Sequence, residues 1–165
     1  MRVVRETADL PIRLVASADV PSVIDHVRRT LAEFGIEFGM GSATDAELYG
    51  LPDSYARHGG AFWVTRDAAG KVVGTAGVFP VGGGDFELRK KYVSPATRGK
   101  RLGRALLDEC IAFVREHGGR RVVLDTVEQM SAAIAFYERH GFVRDDRQIR
   151  GSRCTRGYAL DVGRP

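Results

Sequence analysis

The chemistry of this chain concentrates between Glu87 and Phe113, in the stretch ELRKKYVSPATRGKRLGRALLDECIAF. Phe86 to Val93 reads as a strand and Ser94-Pro95-Ala96-Thr97 as a turn. Arg98-Gly99-Lys100-Arg101-Leu102-Gly103-Arg104 then opens a long apolar helix. The first N–H groups of a helix lack intrahelical acceptors, and the helix dipole is positive at that end. A strand that passes into a helix through a glycine-bearing turn is therefore suited to bind an anion. Arg89, Lys90, Lys91, Arg98, Lys100, Arg101 and Arg104 all fall in the same stretch. Together these features point to a ligand that carries phosphates.

The elements that must position this stretch follow from the spacing of apolar residues. Ile12 to Ala16 reads as a first strand. A helix follows, with Asp19 as its N-cap and Pro21 in its first turn. Val20, Val23, Ile24, Val27, Leu31 and Phe34 recur at helical spacing, and Gly35 stops the helix. Gly35 to Gly60 reads as a surface region of loop with a short helical piece from Asp45 to Tyr49, either a pocket wall or a connector. Ala61 to Thr65 and Lys71 to Pro80 form a hairpin around Asp67-Ala68-Ala69-Gly70. Gly74 and Gly77 within it imply bulges or close backbone approach. Gly82-Gly83-Gly84 is a turn, since no helix follows to make it a phosphate loop.

Beyond Arg98, Leu102, Leu106, Cys110 and Phe113 form an apolar stripe widened by Leu107, Ile111 and Val114, until Gly118-Gly119. Arg121 to Val127 has the continuous apolar run of a strand buried on both faces. Met130 to His140 is a short helix that Gly141 stops. Phe142 to Ile149 and Arg156 to Val162 are expected as final strands joined at Gly151-Ser152. The order predicts an α/β fold: a mixed sheet, mostly antiparallel, flanked by helices, with parallel pairing between the strands on either side of the long helix.

At 165 residues the chain is expected to be one domain, residues 1–165, with its core at about 12–162. A hydrophobic content of 44% and a charged content of 28% suit a soluble globular protein. The net charge of +4 is modest and lies mostly beside one loop, which favours an anionic cofactor over nucleic acid. The N-terminal MRVVRETADLPIR has charges where a signal peptide needs an apolar core, and no apolar run reaches the ~20 residues of a membrane span. A cytoplasmic location with no membrane partner is expected. Cys110 and Cys154 form no CxxC pattern and the four histidines are scattered, so no metal and no disulfide are expected, with Cys110 in the core.

Two motifs make the chain resemble the GNAT N-acetyltransferases. That family's acyl-CoA loop follows a strand and reads R/Q-x-x-G-x-G/A. Here Leu88 to Val93 precedes Arg98-Gly99-Lys100-Arg101-Leu102-Gly103. The second motif is a helix ending Y-x-x-x-G-F, here Ala132 to Phe142 with Tyr137, Gly141 and Phe142 in place. The apolar strand Val122 to Leu124 lies between them, and the likeness covers roughly Ile12 to Val162. Two positions depart from the pattern. Arg101 replaces the first motif glycine, where a helical non-glycine would still offer its N–H. Met130 stands where many relatives carry an asparagine toward pantetheine.

The resemblance implies an acyl-CoA-dependent N-acyltransferase of GNAT-like fold. It would pass acetyl from acetyl-CoA to a primary amine by direct attack in a ternary complex. The N–H groups of Gly99, Lys100, Arg101, Leu102, Gly103, Arg104 and Ala105 would bind the pyrophosphate, aided by the side chains of Arg98, Lys100 or Arg104. The backbone at Tyr92 and Val93 would pair with pantetheine and supply an oxyanion donor. Glu87 is the implied general base, the alternative being a carboxylate paired with Arg89. Tyr137 is the implied general acid for the CoA thiolate, the alternative being a packing residue. The acceptor, a small-molecule or peptide amine, would meet the Gly35–Gly60 segment, the Phe79–Gly84 loop and the Gly151–Thr155 turn. Glu33, Glu37, Asp45 and Glu47 would either attract a cationic amine or be solvated. The fold often forms homodimers. The rival functional reading is a non-catalytic acyl-CoA-binding module on the same fold.

Overall fold

The computed structural model describes residues 10–40, 42–98 and 101–163. Its strands are β1 (Ile12–Leu14), β2 (Ala61–Arg66), β3 (Val72–Gly82), β4 (Asp85–Val93), β5 (Arg121–Thr126), β6 (Val143–Arg144) and β7 (Arg156–Asp161). They form one sheet in the order β1-β2-β3-β4-β5-β7-β6. Every pair is antiparallel except β4 with β5. That parallel step is made by α4 (Leu102–Glu116), the long helix expected after the cationic turn. The other helices are α1 (Val20–Glu33), α2 (Ala43–Ala46), α3 (Asp53–Ala56) and α5 (Ser131–Arg139).

The sheet separates two apolar cores, and strand alternation assigns residues to each. On β2, Ala61 and Trp63 join Leu102, Leu106 and Cys110 of α4 and Ile134 and Tyr137 of α5. Phe62 and Val64, between them in sequence, join Val23, Val27 and Leu31 of α1. The glycines of β3 allow this close packing. A Cβ on Gly74 would lie 2.7 Å from Thr65 and 2.9 Å from Leu102, and one on Gly77 would lie 2.6 Å from Phe62 and 2.8 Å from Tyr55.

Three local expectations change. Asp19 has helical backbone angles and does not cap α1 through its side chain. Its carboxylate instead accepts from the Ala16 N–H at 2.8 Å and pairs with Arg13 and Arg66, fixing the short 3₁₀ turn that leads into α1. The Gly35–Gly60 region is not a surface connector. Leu48, Leu51 and Tyr55 are buried in the α1 core, and Asp45 is wholly buried. The expected strand Phe142–Ile149 shrinks to Val143–Arg144, because Asp145 accepts from the Arg147 N–H and starts a 3₁₀ turn at Asp146–Gln148. Cys110 is buried as expected, and no helix among the described residues is long and apolar enough to cross a membrane.

Candidate active site

The site begins where β4 and β5 part. Their parallel ladder runs from Asp85–Arg121 to Glu87–Val123 and goes no further. Lys90 then takes a left-handed conformation (φ 53°), and the β3–β4 register shifts beside it. A bulge of this kind bends a strand and redirects its side chains. The gap that opens is a cavity of about 200 Å³, walled by residues 87–92 of β4, 124–126 of β5 and Val127 just beyond it. Tyr137, Met130 and Ala133 close one side. Ser42, Ala43 and Thr44, with Arg150, Gly151, Arg153 and Cys154, close another. The Phe79–Gly84 loop does not line it: Phe79 instead stacks under the Arg89 guanidinium at 4.1 Å.

Successive β4 residues serve different faces of the cavity. Glu87 is buried, and its Oε1 accepts from Arg89 Nε at 2.6 Å, while its Oε2 lies 3.8 Å from Arg150. Arg89 also pairs with Glu47 at 2.9 Å. Burial, the largest single influence, would lower the Arg89 pKa, but the charges of Glu87, Tyr55 and Glu47 together with the Glu87 hydrogen bond outweigh it and the net direction is up. The Lys90 ammonium pairs with buried Asp45, which also accepts from the Gly39 N–H at 2.7 Å and from both terminal nitrogens of Arg153. This network ties the region before α2 to the 150–154 turn across the bulge. Of the carboxylates expected to attract a cationic amine, Glu33, Asp45 and Glu47 are thus bound to Arg98, to Lys90 with Arg153, and to Arg89.

Lys91 points to the other face of the sheet. Its Nζ sits 4.0 Å from the Phe136 ring centroid and 5.5 Å from that of Tyr137. A Cβ placed on Gly103 would lie 3.4 Å from it. No carboxylate among the described residues pairs with it, and burial lowers its pKa to about 8. Tyr137 is itself buried between Phe136 and Phe142, and desolvation pushes its phenol well above the ordinary value. Tyr92 lines the cavity, and its carbonyl accepts from His26 Nε2 at 3.1 Å. That ring is fully buried, which lowers its pKa to about 4 and keeps it neutral. The Val93 carbonyl accepts from Arg98 Nε at 2.9 Å.

The helix N-terminus differs in detail from the expectation. Gly99 and Lys100 lie outside the described residues. Arg98 turns to Glu33 at 3.0 Å and to the Val93 carbonyl. Arg101 is not helical: at φ 64° and ψ 6° it is left-handed, the conformation for which glycine is the usual residue. The Ala105 N–H donates to the Arg101 carbonyl at 3.0 Å, so it is not free for a ligand. The open donors of α4 are those of its first turn, Leu102, Gly103 and Arg104. Leu102 anchors that turn in the core, and exposed Arg104 approaches Asp108 at 3.6 Å.

Comparison with known proteins decides the family. A family model described as "Acetyltransferase (GNAT) family" matches residues 28–142. The chain is 34% identical over 139 residues to a protein of Escherichia coli K12 described as the uncharacterized N-acetyltransferase YjgM, covering 82% of this chain and 83% of that one. The chain belongs to the GNAT acetyltransferase family. It is thereby an N-acetyltransferase of GNAT fold. Among solved structures, a GNAT-family acetyltransferase from Staphylococcus aureus Mu50 superposes with a TM-score of 0.86 at 22% identity, covering 93% of this chain and 99% of that chain. The PaiA N-acetyltransferase of Thermoplasma acidophilum, solved with coenzyme A, superposes at 0.71 with 19% identity over 93% of this chain and 99% of that one.

Within this GNAT enzyme, Glu87, Tyr92 and Tyr137 share one cavity, while Arg98 and Arg104 are drawn to nearby acids. The sequence offered Arg89 and Lys91 only as members of the cation cluster, with Arg89 also as a partner for Glu87, and Arg153 only as part of the Gly151–Thr155 turn; it offered nothing for Arg150. The turn that carries Arg150 and Arg153 was legible from Gly151-Ser152. The two arginines beside it carried no signal of their own.

Proposed function

We propose that this GNAT enzyme transfers acetyl from acetyl-CoA to a primary amine in the cavity where β4 and β5 part. The observation that carries the reading is that Glu87 and Tyr137 line one cavity, and that Lys91, which also lines it, would lie 3.4 Å from a Cβ on Gly103 in the first turn of α4. The pyrophosphate would dock at the first turn of α4, where Gly103 keeps the approach open and Lys91 supplies an uncompensated cation nearby. Pantetheine would run along the β4 edge that β5 leaves without a partner. Glu87, whose Oε1 is held by Arg89, would take a proton from the acceptor ammonium on Oε2. The neutral amine attacks the thioester carbonyl, the C–S bond breaks, and the nitrogen sheds its second proton to water as the amide forms, so that solvent can restore the proton Tyr137 gives up. Tyr137, whose high pKa keeps it protonated, would donate its phenolic proton to the departing thiolate.

The test is a thiol-release assay with acetyl-CoA and a broad amine panel. Release with at least one amine is expected. Tyr137→Phe should lower kcat about 100-fold with acetyl-CoA affinity intact, since a positioned proton donor contributes at least that much. Acetyl-CoA binding without release for any amine would instead support the non-catalytic reading. An unchanged kcat across pH would remove Tyr137 from the acid role.

A further inference from the structure

We infer that the acceptor is a free α-amino acid, its ammonium met by Glu87 and its carboxylate by Arg150. This deepens the transferase reading above and rests on it. The acids that might have drawn a polycation are consumed in internal ion pairs, as Asp45 is by Lys90 and Arg153. The cavity lining therefore offers no run of open carboxylates. Arg150 is different. Its backbone N–H and that of Gly151 both donate to Asp125 Oδ2, at 2.7 and 2.8 Å, so the turn that presents it is pinned. Among the described residues its guanidinium makes only long contacts, 3.3 Å to the Gln148 carbonyl, 3.4 Å to Gln148 Oε1 and 3.8 Å to Glu87 Oε2, and its side chain is 40% exposed. It is a fixed but weakly engaged cation on the cavity wall.

The spacing of the two charges supplies the chemistry. A carboxylate and a guanidinium 3.8 Å apart form a stretched pair that an incoming zwitterion can enter. In an α-amino acid the ammonium and the carboxylate are attached to the same carbon. Such a molecule would place its cation on Glu87 and its anion on Arg150 at once, replacing one long contact with two charge-assisted hydrogen-bonded ones. It would also bring the amine to the residue proposed as the base. A peptide N-terminus, an amino-acid amide or a polyamine satisfies only the Glu87 half.

Thiol release is compared for a set of amino acids, their carboxamides, the corresponding decarboxylated amines, and β- and γ-amino acids. The free α-amino acids should exceed their amides and amines in kcat/KM by about tenfold to a hundredfold, the range expected for one hydrogen bond to a charged group. Arg150→Met should raise KM for the amino acid by that factor and erase the preference, leaving KM for acetyl-CoA unchanged. Arg150→Lys should restore part of it, which separates anion binding from simple damage to the turn. Amides or decarboxylated amines used as well as the acids by the wild-type enzyme would overturn the inference and leave the transferase reading standing. No release with any acceptor would overturn both.

Discussion

Replacing Lys91 with methionine should make the ligand-free enzyme more stable. Lys91 carries its ammonium into a site walled by Phe136 and Tyr137, with no described carboxylate beside it. Burial lowers its pKa from 10.5 to about 8. At about 1.4 kcal/mol for each pH unit, the charged form costs the folded state at most about 3 kcal/mol at neutral pH. The residue keeps partial exposure, and solvent screening brings the expected gain from Lys91→Met to about 1–2 kcal/mol. Methionine preserves the unbranched shape, so no large cavity offsets this. For a chain of this length the gain is a rise in Tm of about 3–6 °C. The sign with pH follows from the lowered value. Between about pH 8 and 10.5 the unfolded chain holds the Lys91 proton and the folded one has released it, so this residue's contribution to wild-type stability rises through that window. Lys91→Met lacks that rise, and its advantage should vanish near pH 10.5. Denaturant melts of both proteins at pH 7 and across the alkaline range provide the measurement. A variant no more stable than wild type at pH 7, with an identical alkaline slope, would refute the claim that this cation is carried at a cost.

Two further substitutions probe the helix N-terminus. Gly103→Glu places a Cβ 3.4 Å from Lys91 Nζ and 3.7 Å from the Phe136 ring, contacts the fold tolerates. The new carboxylate would pair with Lys91 where the pyrophosphate is proposed to sit. Calorimetry should show acetyl-CoA binding lost with little change in Tm, and normal affinity would show that the phosphates bind elsewhere. Arg101→Gly relieves a left-handed non-glycine residue, worth about 1–2 kcal/mol, against about 0.5–1 kcal/mol of added chain entropy. A net stabilisation of about 0.5–1 kcal/mol is expected in urea melts, and a loss of stability would mean the Arg101 side chain holds the turn.

The large periodic elements were legible because a single physical constraint writes each of them. The stripe from Leu102 to Val114 is what a helix needs to cover one face of a sheet, and it emerges buried at Leu102, Leu106, Leu107, Cys110 and Val114. Val122 to Leu124 at the centre of β5 is apolar because both faces of the sheet are covered there, and β5 sits between β4 and β7 as that pattern requires. The misreadings occur where a side chain competes with the backbone or where burial depends on a distant partner. Asp145 takes a backbone N–H and cuts the expected last hairpin short. Asp45 looks like a surface acid until Lys90 and Arg153, 45 and 108 positions away, converge on it. Arg101 was expected to be helical, but its local motif gives no sign that the turn requires a left-handed residue. The candidate site divides along the same line: Glu87 and Tyr137 were nominated from positions the family resemblance implies, whereas the proposed roles of Lys91 and Arg150 rest on contacts seen only in three dimensions.

The concentration of costly features on β4 bears on why the cavity lies where it does. Within five residues this strand holds a buried carboxylate at Glu87, a left-handed lysine at Lys90 and a depressed-pKa lysine at Lys91. A strand selected for stability alone would extend the ladder with β5 and carry apolar residues at these positions. Strain and unpaired charge persist when the surrounding structure over-determines them. Here α4, α5 and the β2–β3 pair provide that surrounding structure on one face, and α1 with the Asp45 network provides it on the other. Two of these features also have a proposed partner among the reactants, an acceptor ammonium for Glu87 and the phosphates for Lys91, and the open β4 edge would take pantetheine. Ligand binding should therefore stabilise this enzyme most at β4. Hydrogen exchange at residues 88–92 should slow on adding CoA more than exchange in β2 or β7, and uniform protection would argue that the cofactor does not enter the gap between β4 and β5.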